Sequence, residues 1–161
     1  MSALWGKIKA QEKRAKEERL LKAARNPQPP AGRTLARVKS GRPALTRALE
    51  LQKAAGEVGF DWNDVRAVLD KIVEESREVT EAVASGDAEQ VTDEIGDLFF
   101  VMVNLARHAG VDPETALRGA NAKFERRFAY VEDGLAARGR TPKEATLAEM
   151  DALWNEAKRN G

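Results

Sequence analysis

Between Val65 and Leu105, apolar residues recur three or four positions apart, in two runs separated by Gly86-Asp87. That period is helical, and a two-residue Gly-Asp link leaves room only for a chain reversal, so two antiparallel helices are expected. The first run carries Val65, Val68, Leu69, Ile72, Val79 and Val83 to about residue 85. The second, over residues 88–109, repeats Val91, Ile95, Leu98, Met102 and Leu105 at 4-3-4-3. Acids interrupt both stripes. Glu75 stands in the gap of the first, and Glu94 and Asp97 flank Ile95 and Leu98 in the second.

The rest of the chain reads as helical too. Residues 2–24 suit an exposed helix, because Leu4, Trp5, Ile8, Leu20 and Leu21 are too sparse for a core face. Residues 26–43 hold four of the six prolines and form a linker. A short helix over 44–55 follows, with Phe60 and Trp62 expected as apolar plugs in the next turn. Asp61 or Asn63 can cap the helix after that. Asp112-Pro113-Glu114 is a helix start. The helix it opens carries Leu117, Phe124, Phe128, Val131 and Leu135 on one face, with Asn121 among them, until Gly139 and Pro142 end it. A last helix over 147–158 packs through Leu147, Met150, Leu153 and Trp154. No strand-period segment competes, so the fold class is all-α.

Charge divides the chain. Residues 1–47 hold 13 Lys/Arg against 3 Asp/Glu, while the remainder holds 14 against 23. A basic helical arm with its linker (1–43) therefore precedes an acidic helical domain (44–159). There is no cysteine, which excludes disulfides and thiolate metal sites, and His108 is the sole histidine, which excludes a multi-histidine site. No run of 18 apolar residues and no short apolar leader exist, so no membrane association and a cytoplasmic location are expected.

The acids need an explanation. Residues three or four apart share a helix face, so Glu75 and Glu78 project together, with Glu74 beside them, and Glu94 and Asp97 do the same. The Gly86-Asp87 reversal sets both pairs at one height. Four carboxylates in a small volume repel one another unless protons or cations neutralise them. An all-oxygen donor set suits Mg2+, with Mn2+ a plausible substitute. The competing reading is a solvated acidic face paired to Lys and Arg, which is how Glu81, Asp87, Glu89 and Asp93 read. Downstream, Lys123 with Arg126 or Arg127 makes a cationic edge beside Asn121. Cations near such a centre suit a phosphorylated ligand; alternatively they pair with Glu125 and Glu132.

Glu74-Glu75-Ser76-Arg77-Glu78 followed by Glu94-Ile95-Gly96-Asp97 resembles the EExxE and ExxD signature of the MazG nucleotide pyrophosphohydrolases, within the all-α NTP pyrophosphatases. ALTRALELQKAAGEVGFDW, GDLFFVMVNLARHAGVDPETAL and NAKFERRFAYVE are similar to the same family, from about residue 44 to about 159. The likeness is to the second half of a full-length MazG, and LWGKIKAQEKRAKEER resembles the segment that joins the two halves. The resemblance implies Mg2+-dependent hydrolysis of nucleoside triphosphates to monophosphate and pyrophosphate, in nucleotide house-cleaning. It implies Glu75, Glu78, Glu94 and Asp97 as metal ligands, with Glu74 assisting or orienting water. It implies Lys71, Asn121, Lys123, Arg127 and Arg126 as phosphate or ribose contacts, and Trp62 and Lys53 as pocket residues. It also implies a homodimer or higher homo-oligomer in which two hairpins complete a four-helix bundle. Leu98, Phe99, Phe100, Met102 and Val103, apolar nearly all round their helix, are compatible with that.

Three other readings compete, one of which keeps the enzyme and narrows it to a modified-nucleotide or dUTP/dCTP house-cleaning hydrolase. A ferritin-like di-iron bundle requires Glu-x-x-His on two helices, and one histidine cannot supply it. A non-catalytic helical interaction module could use the basic arm on nucleic acid, yet the arm has one aromatic residue and no reading motif, so nucleic acid is not the expected partner.

Overall fold

The computed structural model describes residues 32–62 and 64–160. The expected helix over 2–24 lies outside them, as does Asn63. Among the described residues there are helices and turns and no strand. The described residues divide into two compact units, 32–62 and 64–160.

In the first unit a 3-10 turn, Thr34–Arg37, precedes α1, Ala44–Gly56. Arg37 and Glu57 form an ion pair. Phe60 and Trp62 are not plugs: both are exposed, Phe60 by 78%. The one helix and one 3-10 turn among the described residues of this unit are too little structure to enclose two aromatic rings.

The second unit holds four helices. α2 is Val65–Ser85 and α3 is Ala88–His108, packed against each other along their length. The cap of α2 is Asp64, one or three residues from the expected candidates; its carboxylate accepts from Arg66 N–H at 2.9 Å. Gly86 adopts φ +76, a left-handed conformation that side chains oppose, and so ends α2. Asp87 starts α3 by accepting from the N–H groups of Glu89 (2.9 Å) and Gln90 (3.3 Å). The reversal is therefore built from a left-handed glycine and a capping acid back to back.

On α2 the buried residues are Val68, Glu75 and Ala82, a strict seven-residue line with a carboxylate at its centre. On α3 only part of the expected stripe turns inward. Ile95 and Met102 are exposed, Val91, Leu98 and Leu105 are half-buried, and Val101, Val103 and Asn104 are buried. The inward line runs through Glu94, Leu98, Val101 and Leu105. Glu94 and Val101 take the places expected for Ile95 and Met102, so Glu94 stands on the line rather than beside it.

α4, Pro113–Ala136, begins as its sequence implied, with Asp112 accepting from Thr115 N–H at 3.0 Å and from the Thr115 hydroxyl at 2.6 Å. Those bonds hold the Asp112 carboxyl below its ordinary range. A turn through Gly139 and a 3-10 turn, Pro142–Glu144, lead to α5, Leu147–Asn160. Glu149 fastens this corner, accepting from Thr146 N–H at 2.8 Å and from the Arg140 guanidinium at 2.5 Å. The guanidinium, with the Thr146 donors, pulls the Glu149 carboxyl down to about 2. The core between α4 and α5 is Val131, Leu135 and Leu153, with Ala145, Met150 and Trp154 against it.

Only half of α4 is covered. At 1.5 Å per residue the 24 residues of α4 run about 36 Å and the 14 of α5 about 21 Å. Leu117, expected on the packing face, lies beyond the reach of α5 and is exposed; Phe124 meets Trp154 of α5 yet stays exposed, as does Leu147 at the start of α5.

Where α4 and α5 cross, a Cβ on Gly134 would lie 2.7 Å from Leu153 Cδ2, inside van der Waals contact. Gly134→Ala is expected to lower the unfolding free energy by about 1–2 kcal/mol, overpacking outweighing the better helix propensity of alanine. Urea denaturation checks it. Combined with Leu153→Ala, the loss should fall short of the sum of the two, because the obstructing methyl is gone.

Candidate active site

The α2–α3 hairpin gathers three of the four expected ligands. One carboxylate oxygen from each of Glu75, Glu78 and Glu94 lies within 4.8 Å of the other two. Glu75 is buried, 4% exposed, and Glu78 and Glu94 are half-buried. Asp97 is exposed and outside this group, one turn beyond Glu94 on the same face of α3.

Lys71 lies one turn before Glu75. Its ammonium is 2.8 Å from Glu75 Oε1 and 3.0 Å from Glu74 Oε1. These bonds, Glu75 first, hold the Lys71 ammonium in its charged form well above the usual lysine range. The second oxygen of Glu75, Oε2, is buried and has no hydrogen-bond partner. Loss of hydration and the neighbouring Glu75, with smaller contributions from Glu94 and Glu74, push the Glu78 carboxyl upward, against the pull of Lys71.

A buried carboxylate oxygen without a partner carries a full desolvation cost. Converging oxygens with neither nitrogen nor sulfur among them are the donor set of a hard divalent cation. The residues fit such an ion.

The cationic edge of α4 also faces a cavity. Lys123, Arg126 and Arg127 line a pocket of about 190 Å3 with Tyr130 and, from α5, Ala157 and Asn160. Asn160 Nδ2 donates to the Tyr130 hydroxyl at 3.3 Å, and that hydroxyl donates to Glu156 at 3.5 Å. Arg127 lies 5.9 Å over the Trp154 ring, a cation–π contact. Trp154 belongs as well to a second, apolar pocket of about 260 Å3, lined with Phe124, Phe128, Leu147 and Met150. The Phe124 and Trp154 centroids are 5.1 Å apart.

Asn121 is exposed and lines neither pocket. Lys53 and Trp62 are exposed and belong to the first unit. Tyr130, Asn160 and Trp154 were not singled out as site residues from the sequence. Tyr130 had a readable signal, standing at i+7 of Lys123 and i+3 of Arg127, on their face. Trp154 had none, because a tryptophan at core spacing reads as packing until its half-exposure is seen.

Residues 52–131 match the family model of the MazG nucleotide pyrophosphohydrolase domain. The chain carries a domain of the MazG family. Over 119 residues, 73% of its length, it is 45% identical to the nucleoside triphosphate pyrophosphohydrolase of Escherichia coli K12. Over 116 residues it is 42% identical to the nucleoside triphosphate pyrophosphohydrolase/pyrophosphatase MazG of Thermotoga maritima. These stretches cover 45% and 44% of those proteins, so the chain spans somewhat under half the length of the MazG relatives it matches. The family model includes both the acid hairpin and the cationic edge of α4. Among the described residues no helix is long and apolar enough to cross a membrane.

If the MazG hairpin holds a divalent ion, Mg2+ or Mn2+ at a hundredfold excess over Kd should stabilise it by about 2.7 kcal/mol. For a chain of this size that raises Tm by roughly 5–10 °C. Differential scanning calorimetry should show the rise, its reversal by EDTA, and its loss in Glu75→Gln and Glu94→Gln.

Proposed function

We propose that this MazG-like chain hydrolyses nucleoside triphosphates to the nucleoside monophosphate and pyrophosphate, with Mg2+ held by Glu75, Glu78 and Glu94 and with Asp97 as a fourth ligand. The observation that carries the reading is the buried carboxylate group in which Glu75 Oε2 has no partner from the protein. The names of the relatives support the substrate class.

The chemistry that bound Mg2+ supplies is charge withdrawal from phosphate oxygens and increased acidity of water. The chain's own residues would do the rest. Glu75, fixed within the α2–α3 contact, orients the site, and half-exposed Glu74 is placed to accept a hydrogen bond from water. The Lys71 ammonium and the guanidinium and ammonium groups of Lys123, Arg126 and Arg127 neutralise triphosphate oxygens, and with them the charge that accumulates on departing pyrophosphate. Trp154 and Phe124 offer an aromatic surface beside the cationic pocket, suited to a base. Water's oxygen forms the new P–O bond, the bridging P–O bond to pyrophosphate breaks, and no protein nucleophile is consumed.

We also propose a homodimer. Leu69, Val73 and Val83 on α2 and Ile95, Phe99 and Met102 on α3 are exposed, so the hairpin has an apolar side that the described residues leave uncovered. A second hairpin laid on it makes a four-helix bundle.

A panel of canonical and damaged nucleoside triphosphates with Mg2+ tests the activity. Pyrophosphate is the expected first product, and orthophosphate would refute the bond assignment. Glu75→Gln and Asp97→Asn should each lower kcat by more than about a hundredfold, beyond what loss of an outer partner costs, with helicity unchanged. Sedimentation at micromolar concentration should give the mass of two chains for the parent and of one for Phe99→Glu. A parent that sediments as one chain would overturn the dimer.

A further inference from the structure

The acid group carries its own cation. The Lys71 ammonium covers Oε1 of Glu75 and leaves Oε2 open, while its other hydrogen bond goes to the more exposed Glu74. Its side chain is 31% exposed against 6% for Glu75, so it reaches the buried carboxylate from the solvent side. A lysine stem is long and flexible, and its ammonium can exchange partners without disturbing the helix.

We propose that Lys71 is the resident counter-cation of this site: it neutralises Glu74 and Glu75 while no divalent ion is bound, opposes entry of such an ion alone, and transfers to phosphate when nucleotide arrives. Ion and nucleotide then bind as a coupled pair. The inference rests on reading the cluster as a divalent-ion site.

The electrostatics give the expected size. A divalent ion among the three carboxylates lies within a few ångströms of an ammonium bonded to one of them. At about 5 Å in a water-like dielectric that repulsion changes ion affinity on the order of tenfold. Once a triphosphate is present the ammonium has an oxyanion to neutralise away from Glu75, and the repulsion is relieved. Coupling is reciprocal, so the factor by which nucleotide tightens the ion is the factor by which the ion tightens nucleotide. Before any substrate is bound Lys71 thus acts through Glu75, and only afterwards on phosphate.

Mn2+ binding measured by electron paramagnetic resonance tests this, with and without a non-hydrolysable α,β-methylene nucleoside triphosphate. Lys71→Gln keeps a hydrogen bond to Glu75 without the charge, Lys71→Met removes both, and Lys71→Arg keeps the charge. The first two should bind Mn2+ alone on the order of tenfold more tightly than the parent, and the enhancement by the analogue should shrink by a similar factor. Lys71→Arg should match the parent. If Lys71 only touched phosphate, Mn2+ alone would bind Lys71→Gln as it binds the parent and the analogue would bind more weakly; that overturns the proposal. So does weaker Mn2+ binding with a lowered Tm, the mark of a purely structural residue. A parent that binds no Mn2+ even with the analogue overturns the divalent-ion reading itself, and the role of Lys71 with it.

Discussion

Val68, Glu75 and Ala82 are buried at intervals of seven on one side of α2, and the middle one is an acid. An apolar residue there would complete an ordinary packing line. A carboxylate must instead find charge or donors inside the contact, because ions are taken out of water only at a cost of several kcal/mol. Lys71 supplies one partner to one oxygen. The other oxygen has no partner, and the nearby carboxylates of Glu78 and Glu94 bring more negative charge rather than relief. The rest of the second unit makes sense around this conflict. The Gly86-Asp87 reversal fixes the register that brings Glu94 level with Glu75 and Glu78. Two helices of 21 residues each give the stiffness to hold like charges together.

The α4–α5 pair is built the opposite way. Its conflict-free core of Val131, Leu135 and Leu153 lies at one end, and cations are arranged along one side of the helices. Lys123, Arg126 and Arg127 have no carboxylate within ion-pair distance among the described pairs, and Arg127 spends its guanidinium on an indole face instead. An acid group on one hairpin and a cationic edge on α4 are what the proposed polyanion held through a metal would need, since each alone would favour the wrong ligand. Had the cations been salt-bridged to Glu125 and Glu132 at every position, that division of labour would be lost.

Much of this was legible in the residues. Helix ends were, because Asp87, Asp112, Gly86 and Gly139 are chemical signals that act locally. The joining of Glu75, Glu78 and Glu94 was, because a two-residue reversal leaves little freedom of register. The inward side of α3 was legible only in part: Val91, Leu98 and Leu105 were, Ile95 and Met102 were not. Val91, Ile95, Leu98, Met102 and Leu105 have the correct period, but Phe99, Phe100, Val101 and Val103 make the helix apolar on nearly every side, and sequence period alone cannot choose between adjacent stripes. The exposure of Leu117 was hidden for another reason, since it follows from α5 being shorter than α4. Asp97 shows a third limit. Sharing a helix face with Glu94 places its Cα, whereas the direction of a short side chain depends on what it has to bind.

The same arrangement explains why the hairpin tolerates its charges. Neutral, well-packed residues in place of a buried ion pair commonly stabilise a fold, so Glu75 is held against the stability of the metal-free protein. Lys71 reduces that cost without abolishing it, as it leaves Oε2 bare and Glu78 still pushed toward protonation. A stronger internal cation set, with a second lysine or a bidentate arginine, would satisfy both oxygens and close the site to a divalent ion. A weaker one would leave the acids to repel one another and splay the helices. One flexible ammonium on one oxygen lies between these limits, and it leaves a position that a doubly charged ion fills better than any side chain present.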